Sequence, residues 1–445
     1  MEKRFVVIGG DAAGMSAASR IRKRLPDSRI TVLESGNYVS YSACGMPFHI
    51  GGIVNDFGSL IHYPVEKFVN ERRIDVRIGH RVTGIDREGR TVEYTNGREK
   101  GRESYDRLVI ATGARPKIPE ELHGIKRVHT LRTLDDLVPF EDSAQRANDI
   151  TIIGAGYIGL ELSEALRNRG KRVRVIQHSD TVLRGFDREL AATVLKELSD
   201  NGVEVHLNSV LTNAEMDGDK IRLETTDGFS FSTDMVAAAT GVRPNSEIAA
   251  EAGLEIGTSG AILVDDHMRT SDVDIYAAGD VATTFNRITG ARTYMPLATG
   301  SNRSGRVAGE NAAGGDIRYA GITGTEVVKV FSLEVGKTGL DHLEASRAGF
   351  DPVSVTITST SRSTYYPDSA PLTVKLTGDR RKGIVLGANM IGREGVAKRI
   401  DVVAAALASG MTVRELADVD YSYSPPFAPA WEPLGVAADV LLGKL

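Results

Sequence analysis

The sequence predicts an α/β chain: two Rossmann-like units with parallel sheets, followed by a smaller α+β unit. Three observations carry this. The stretches 4–36 and 150–177 repeat one plan of apolar strand, glycine-rich turn, helix and second strand. Each is followed, at a distance, by an apolar strand running into Ala-Thr-Gly. From about Gly324 that pattern gives way to alternating Val- and Thr-rich runs. Continuous apolar strands between helices indicate sheets buried on both faces. Alternation of period two indicates antiparallel strands.

The first strand is Phe5-Val6-Val7-Ile8, and its turn is Gly9-Gly10-Asp11-Ala12-Ala13-Gly14. An Ala/Ser/Arg-rich helix runs to about Leu25, and the next strand, Ile30-Thr31-Val32-Leu33, ends at Glu34 and Ser35. In the second unit, Ile150–Ile153 leads into Gly154-Ala155-Gly156-Tyr157-Ile158-Gly159. A helix follows to about Arg169, then Val173-Arg174-Val175-Ile176-Gln177-His178. The closing strands run into Ala111-Thr112-Gly113 and Ala239-Thr240-Gly241, and a proline three residues further on stops helix continuation. Another strand, Ile275–Ala278, ends in Gly279-Asp280. In the last unit, 353–358 and 372–376 read as strands and Gly395–Ser409 as a helix.

The glycine-rich turns carry the first functional signal. A helix N-terminus has unsatisfied amides and partial positive charge that attract a pyrophosphate, and glycine lets the backbone approach it. Two such turns imply two dinucleotide sites. Glu34 stands about 20 residues past Gly14, the spacing of a ribose-binding acid. The middle glycine of the first motif is replaced by Asp11, which a pyrophosphate repels unless its side chain turns away. The second motif is intact, with Gln177 at the ribose-reading position. A neutral amide does not repel a 2′-phosphate, and His178, Arg174 and Arg184 are near in sequence, so weak discrimination against NADPH is expected. Gln177 reading NADH with the arginines in solvent is the other reading.

The 445 residues exceed one compact domain at roughly 100–200 residues each. With 41% hydrophobic and 25% charged residues the composition is globular, and a net charge of −5 speaks against nucleic acid as the main partner. No run is long enough to span a membrane. The N-terminal apolar stretch is too short for a signal peptide. A cytoplasmic location is the expectation. Cys44 is the only cysteine, which excludes an internal disulfide framework. It stands in Ser40-Tyr41-Ser42-Ala43-Cys44-Gly45-Met46-Pro47, whose small residues suggest a tight turn. Free amides at a turn or helix start favour a thiolate; an inert buried thiol is the alternative.

Gly9…Gly14, Glu34, Ser40-x-x-x-Cys44-Gly45-x-Pro47, Ala111-Thr112-Gly113, Gly154-x-Gly156-x-x-Gly159, Ala239-Thr240-Gly241 and Gly279-Asp280 together span almost the whole chain. The set resembles the FAD-dependent pyridine nucleotide-disulfide oxidoreductases. More narrowly it is similar to their single-cysteine branch: coenzyme A-disulfide reductases, coenzyme A-persulfide or polysulfide reductases, and NADH oxidases or peroxidases.

The resemblance implies an FAD domain over 1–115 and 250–323, an NAD(P) domain over 116–249 and a dimerisation domain over 324–445, in a homodimer whose active site is shared between subunits. FAD is expected on Gly9, Gly10, Ala13, Gly14, Glu34, Ser35, Ser42, Ala111, Thr112, Gly113, Gly279 and Asp280, with Pro296, Leu297 and Ala298 also at the cofactor. NAD(P)H is expected on Gly154, Gly156, Tyr157, Ile158, Glu161, Gln177, His178 and Gly241, with Tyr157 covering the flavin's nicotinamide face and Glu161 near the nicotinamide. Cys44 is the implied redox centre. The first glycine loop lacks the histidine that water-forming NADH oxidases and peroxidases of the branch carry, which lowers the weight of oxygen or peroxide reduction and leaves a peroxide-forming NADH oxidase as the alternative. Tyr365 and Tyr423 resemble the paired tyrosines that help the leaving thiolate in coenzyme A-disulfide reductases, with Tyr366 and Tyr421 as competitors.

Coenzyme A is anionic, and Ser16, Arg20, Lys23, Ser40, Arg72, Asn302 and Arg306 are the matching candidates to line its channel. Ala43 departs from the Asn often found before the cysteine, which moves weight toward persulfides. The end of the chain at Leu445, with no further cysteine-bearing module, leans the other way, toward disulfides. No metal is expected. With no second cysteine, the oxidised form is a mixed disulfide of Cys44 with coenzyme A or another small thiol.

Overall fold

A computed structural model describes residues 2–445. The first sheet is wholly parallel, in the order Ile275–Ala277, Arg107–Ile110, Arg4–Ile8, Arg29–Leu33, Asp75–Arg77. The strand at 275–277 thus returns to a sheet begun at residue 4. Between them lies a second parallel sheet, ordered Val203–His206, Arg172–Ile176, Asp149–Ile153, Met235–Ala238, Val128–His129. The chain leaves and re-enters through Ala114–Pro116 and Val242–Pro244, which pair antiparallel.

Each strand–turn–helix passage forms where the glycines require it. The first helix, Ala12–Arg24, starts on Asp11 and carries Arg22, Lys23 and Arg24 in its last turn, the favourable end of the helix dipole for cations. It packs against Ala298–Ala312 through small residues. A Cβ on Gly305 would lie 2.3 Å from the Ala13 carbonyl oxygen, and one on Gly309 2.4 Å from that of Ala17. This close approach fixes the first glycine loop beside Gly279 and Asp280.

The C-terminal unit is a five-stranded antiparallel sheet, Glu326–Val330, Leu333–Gly339, Val385–Gly392, Pro371–Asp379, Pro352–Thr360, covered by the helix Val396–Ser409. Gly410, with φ of +69°, ends that helix in the left-handed conformation. The sheet is clamped onto the second unit. Glu164 pairs with Lys329 and accepts the Phe331 amide at 2.7 Å, Lys337 donates to the Gly185 carbonyl at 2.9 Å, and Lys375 meets Asp187 at 2.6 Å. Among the described residues, no helix is long and apolar enough to cross a membrane.

Candidate active site

A cavity of about 1390 Å³ opens where the three units meet. It exceeds the roughly 300–1,000 Å³ of a site for one drug-sized ligand. One wall carries Asp11, Ser40, Tyr41, Ser42 and Cys44; another carries Gly154, Gly156, Tyr157, Ile158, Glu161, Gln177, His178 and Gly241. Asp280, Pro296, Leu297 and Ala298 lie between them.

Cys44 sits in a single tight turn, Ala43–Gly45, ahead of the short helix Met46–Ile50, and its side chain is open to the cavity. The turn is zipped to a neighbouring segment: the Ser42 amide donates to the Leu60 carbonyl at 2.8 Å and the His62 amide to the Ser40 carbonyl at 2.9 Å. The expectation of a thiolate favoured by turn amides needs correction. Burial pushes the Cys44 thiol up, and the Glu161 carboxylate pushes the same way, with Arg132 opposing. The helix behind the turn is only five residues long and supplies little dipole.

Two cradles flank the cysteine. In the first, Glu34 accepts the Gly10 and Gly36 amides, both at 2.6 Å, and Ser35 donates to the same carboxylate at 3.3 Å. A Cβ on Gly9 would lie 2.2 Å from the Ala111 carbonyl oxygen, so the loop and the Ala-Thr-Gly strand touch. Thr112 donates its hydroxyl to the Asn245 carbonyl at 2.7 Å, and Gly113 has a φ of +65°. Gly279 packs on Ala13, where a Cβ would come within 2.8 Å. Asp280 accepts from Arg132 and from Ser301, each at 2.7 Å.

In the second cradle Gly159 repeats the close packing, where a Cβ would lie 2.0 Å from the Gly154 carbonyl oxygen, whereas a Cβ on Gly156 or Gly241 would meet nothing within 4 Å. That open space on a glycine loop is what a bound dinucleotide needs. The Asp11 Oδ1, buried without a hydrogen-bond partner in the first loop, likewise awaits a ligand. Both cradles therefore fit dinucleotides on the structure's own geometry.

Other predicted residues are used differently from expectation. Gln177 is buried, with its Oε1 accepting the Ala155 amide at 3.0 Å and its Nε2 donating to Ser179 at 2.5 Å and to the Thr181 carbonyl at 3.2 Å. Its amide braces the loop, as Glu34 does in the first unit. Arg174 is withdrawn from any phosphate: it pairs with Glu204 at 2.8 Å and stacks on Phe231 at 4.2 Å. His178 and Arg184 are exposed on the cavity wall. Tyr157 faces Glu326 of the C-terminal sheet, and burial with that carboxylate raises its pKa. Burial, with Glu164 nearby, pushes Glu161 up to about 7.

Ser16, Arg20, Lys23, Ser40, Arg72, Asn302 and Arg306 all line the cavity. Ser16 donates to Asn302 at 2.9 Å. Arg72 donates to Ser19 at 2.7 Å and lies over the Phe68 ring at 4.9 Å. Arg20 is shared with Glu310 at 2.5 Å, while Lys23 and Arg306 have no ion pair among the described residues. Arg22 serves structure, donating to the backbone carbonyls of Pro26, Ser28, Arg72 and Arg73.

Tyr365 and Tyr423 bring their hydroxyls to 3.3 Å on the C-terminal unit and are 73% and 52% exposed. Their competitors are engaged elsewhere: Tyr421 donates to the Leu416 carbonyl at 2.9 Å, and the Tyr366 ring lies under Arg362. Among the cavity residues that sequence reasoning missed, two are polar and engaged with predicted ones. His62 shares a hydrogen bond of 2.7 Å with Ser42, and Arg132 holds Asp280. No motif marks either.

Two dinucleotide cradles meeting at one cysteine define a nicotinamide-linked flavin oxidoreductase. Residues 3–305 match the pyridine nucleotide-disulphide oxidoreductases and residues 325–434 match the dimerisation domain of the same enzymes. The chain belongs to the pyridine nucleotide-disulphide oxidoreductase family, whose cofactors are FAD and NAD(P)H, and it carries the part through which the family dimerises. It is 39% identical to the NAD(P)H sulfur oxidoreductase (CoA-dependent) of Pyrococcus abyssi, over 99% of this chain and 98% of the relative. It is 31% identical to a coenzyme A disulfide reductase of Staphylococcus aureus, over 96% of each. The structure of a NAD-dependent persulfide reductase from A. fulgidus superposes with a TM-score of 0.95 at 39% identity, covering 99% of this chain and 83% of that one.

Proposed function

We propose that the protein reduces coenzyme A disulfide, or a related low-molecular-weight disulfide or persulfide, at Cys44 with electrons from NAD(P)H. The single observation that supports this best is one cavity holding Cys44, both glycine loops and a row of cationic and polar side chains. When bound, FAD and NAD(P)H supply an electron pair to the sulfur. The chain's own residues do the rest. Glu34 and Gln177 brace the two loops, and Lys23, Arg72 and Arg306 hold an anionic substrate with its sulfur toward Cys44. The Cys44 thiolate attacks one sulfur of the substrate. A Cys44–sulfur bond forms, the substrate S–S bond breaks, and the departing thiolate takes a proton. Two electrons and one proton then cleave the mixed disulfide, free the second thiol and return Cys44 as the thiolate.

The proton comes from Tyr365 and Tyr423 of the partner subunit. Neither lines the cavity of its own chain among the described residues, yet both are exposed and paired on the dimerisation domain. We place the domain limits at 1–115 with 250–323, 116–249 and 324–445, a division that the three five-stranded sheets support.

Cys44→Ser tests the reading. Reduction of coenzyme A disulfide is expected to fall at least a thousandfold, while slow flavin oxidation by oxygen survives. A variant that reduces the disulfide at the wild-type rate defeats the proposal. The intact mass without reductant is expected to exceed the chain plus FAD by one coenzyme A.

A further inference from the structure

Asp11 stands where the first glycine motif has its middle glycine, and the electron path above gives it no task. It occupies the N-cap of the helix Ala12–Arg24 with extended backbone, φ −99° and ψ −153°. An aspartate there ordinarily turns its carboxylate onto the amides of the first turn. This one makes no capping bond. The side chain lies in the cavity wall with Tyr41 and Cys44, and its Oδ1 is buried without a partner.

The charged and titratable groups that face it are Glu34, Tyr41, Cys44 and Arg132, with Asp280 beyond on the Cys44 side. The one cation among them, Arg132, is already engaged by Asp280 at 2.7 Å and by the Ala114 carbonyl at 3.1 Å. An ionised, unpaired carboxylate beside a diphosphate is costly; a neutral carboxyl group offers a donor instead.

We propose that Asp11 holds FAD as the neutral acid, donating its proton in a hydrogen bond to an acceptor oxygen of the dinucleotide, so that binding FAD takes up one proton. This rests on the first glycine loop being the FAD site. Burial, against the opposing Tyr41 and Ala12 amides and Arg132, already pushes Asp11 up to about 6, and a bound anion pushes it further. The sign follows: affinity is full below that value and weakens as pH rises above it, about tenfold per pH unit.

The test is equilibrium dialysis of the holoenzyme from pH 5 to 8.5, with free FAD read by fluorescence. Wild type is expected to bind FAD about a hundredfold more weakly at pH 8 than at pH 6. Asp11→Asn, and Asp11→Gly as a second variant restoring the motif glycine, are expected to retain FAD with a flat profile. An unchanged slope in both variants, or loss of FAD by Asp11→Asn at every pH, overturns the proposal. Glu34→Gln separates the underlying reading. If it leaves FAD retention untouched, the loop is not the FAD site; if it weakens retention while the Asp11 variants keep the slope, only the proton donation fails.

Discussion

The charge on Glu161 reaches the Cys44 sulfur, and both groups are raised by burial. As pH rises through about 7, Glu161 ionises and makes the thiolate harder to form. Glu161→Gln is therefore expected to speed iodoacetamide alkylation of reduced Cys44 severalfold at pH 8, with no inflection near 7. The same shift predicts a stability effect. The native carboxyl binds its proton more tightly than the unfolded one, so its contribution is present at acid pH and lost as pH rises toward 7. Glu161→Gln should match wild type in Tm at pH 4 and exceed it at pH 8, the difference being at most about 3 kcal/mol. At this scale the sequence was partly legible. Cys44 is visible because it is alone, and Glu161 because it follows a motif. Its pKa is invisible there, since burial and Glu164 set it.

The glycine loops were legible because backbone chemistry demands them, but the structure divides their labour. Gly159 serves packing and Gly156 faces open space. Gly159→Ala drives a methyl group into a carbonyl oxygen and should cost about 1–3 kcal/mol, read as a lower Tm. Gly156→Ala should leave Tm within about a degree while raising the KM for NAD(P)H at least tenfold. An equal loss of Tm in both would contradict this division. Side chains that complete the site from afar could not be read. Arg132 meets Asp280 across 148 positions, and Tyr157 meets Glu326 from another sheet. Gln177, read as a ribose contact at the end of its strand, braces the glycine loop instead, because the amide it holds belongs to Ala155.

At the scale of the molecule, the C-terminal unit exposes Phe427 and Trp431, 78% and 77% accessible, shortly after Tyr423 in the chain. The proposed sharing of the site between subunits has a direct test. Cys44→Ser and the double variant Tyr365→Phe/Tyr423→Phe should each be nearly inactive as homodimers. Co-expressed, half of the dimers are hybrids with one complete site each, so about a quarter of wild-type activity should return. No recovery would place the tyrosines in the same site as their own Cys44. The solitude of Cys44 has a last consequence for the molecule's lifetime. A sulfenic acid on that sulfur has no neighbouring thiol within the chain to condense with, so, apart from the cofactors' electron pair, a small thiol arriving through the cavity is what stops its passage to the irreversible sulfinic acid. The thiol that the enzyme meets in turnover thus doubles as its preservative, and the protein ages by oxidation wherever that thiol runs out.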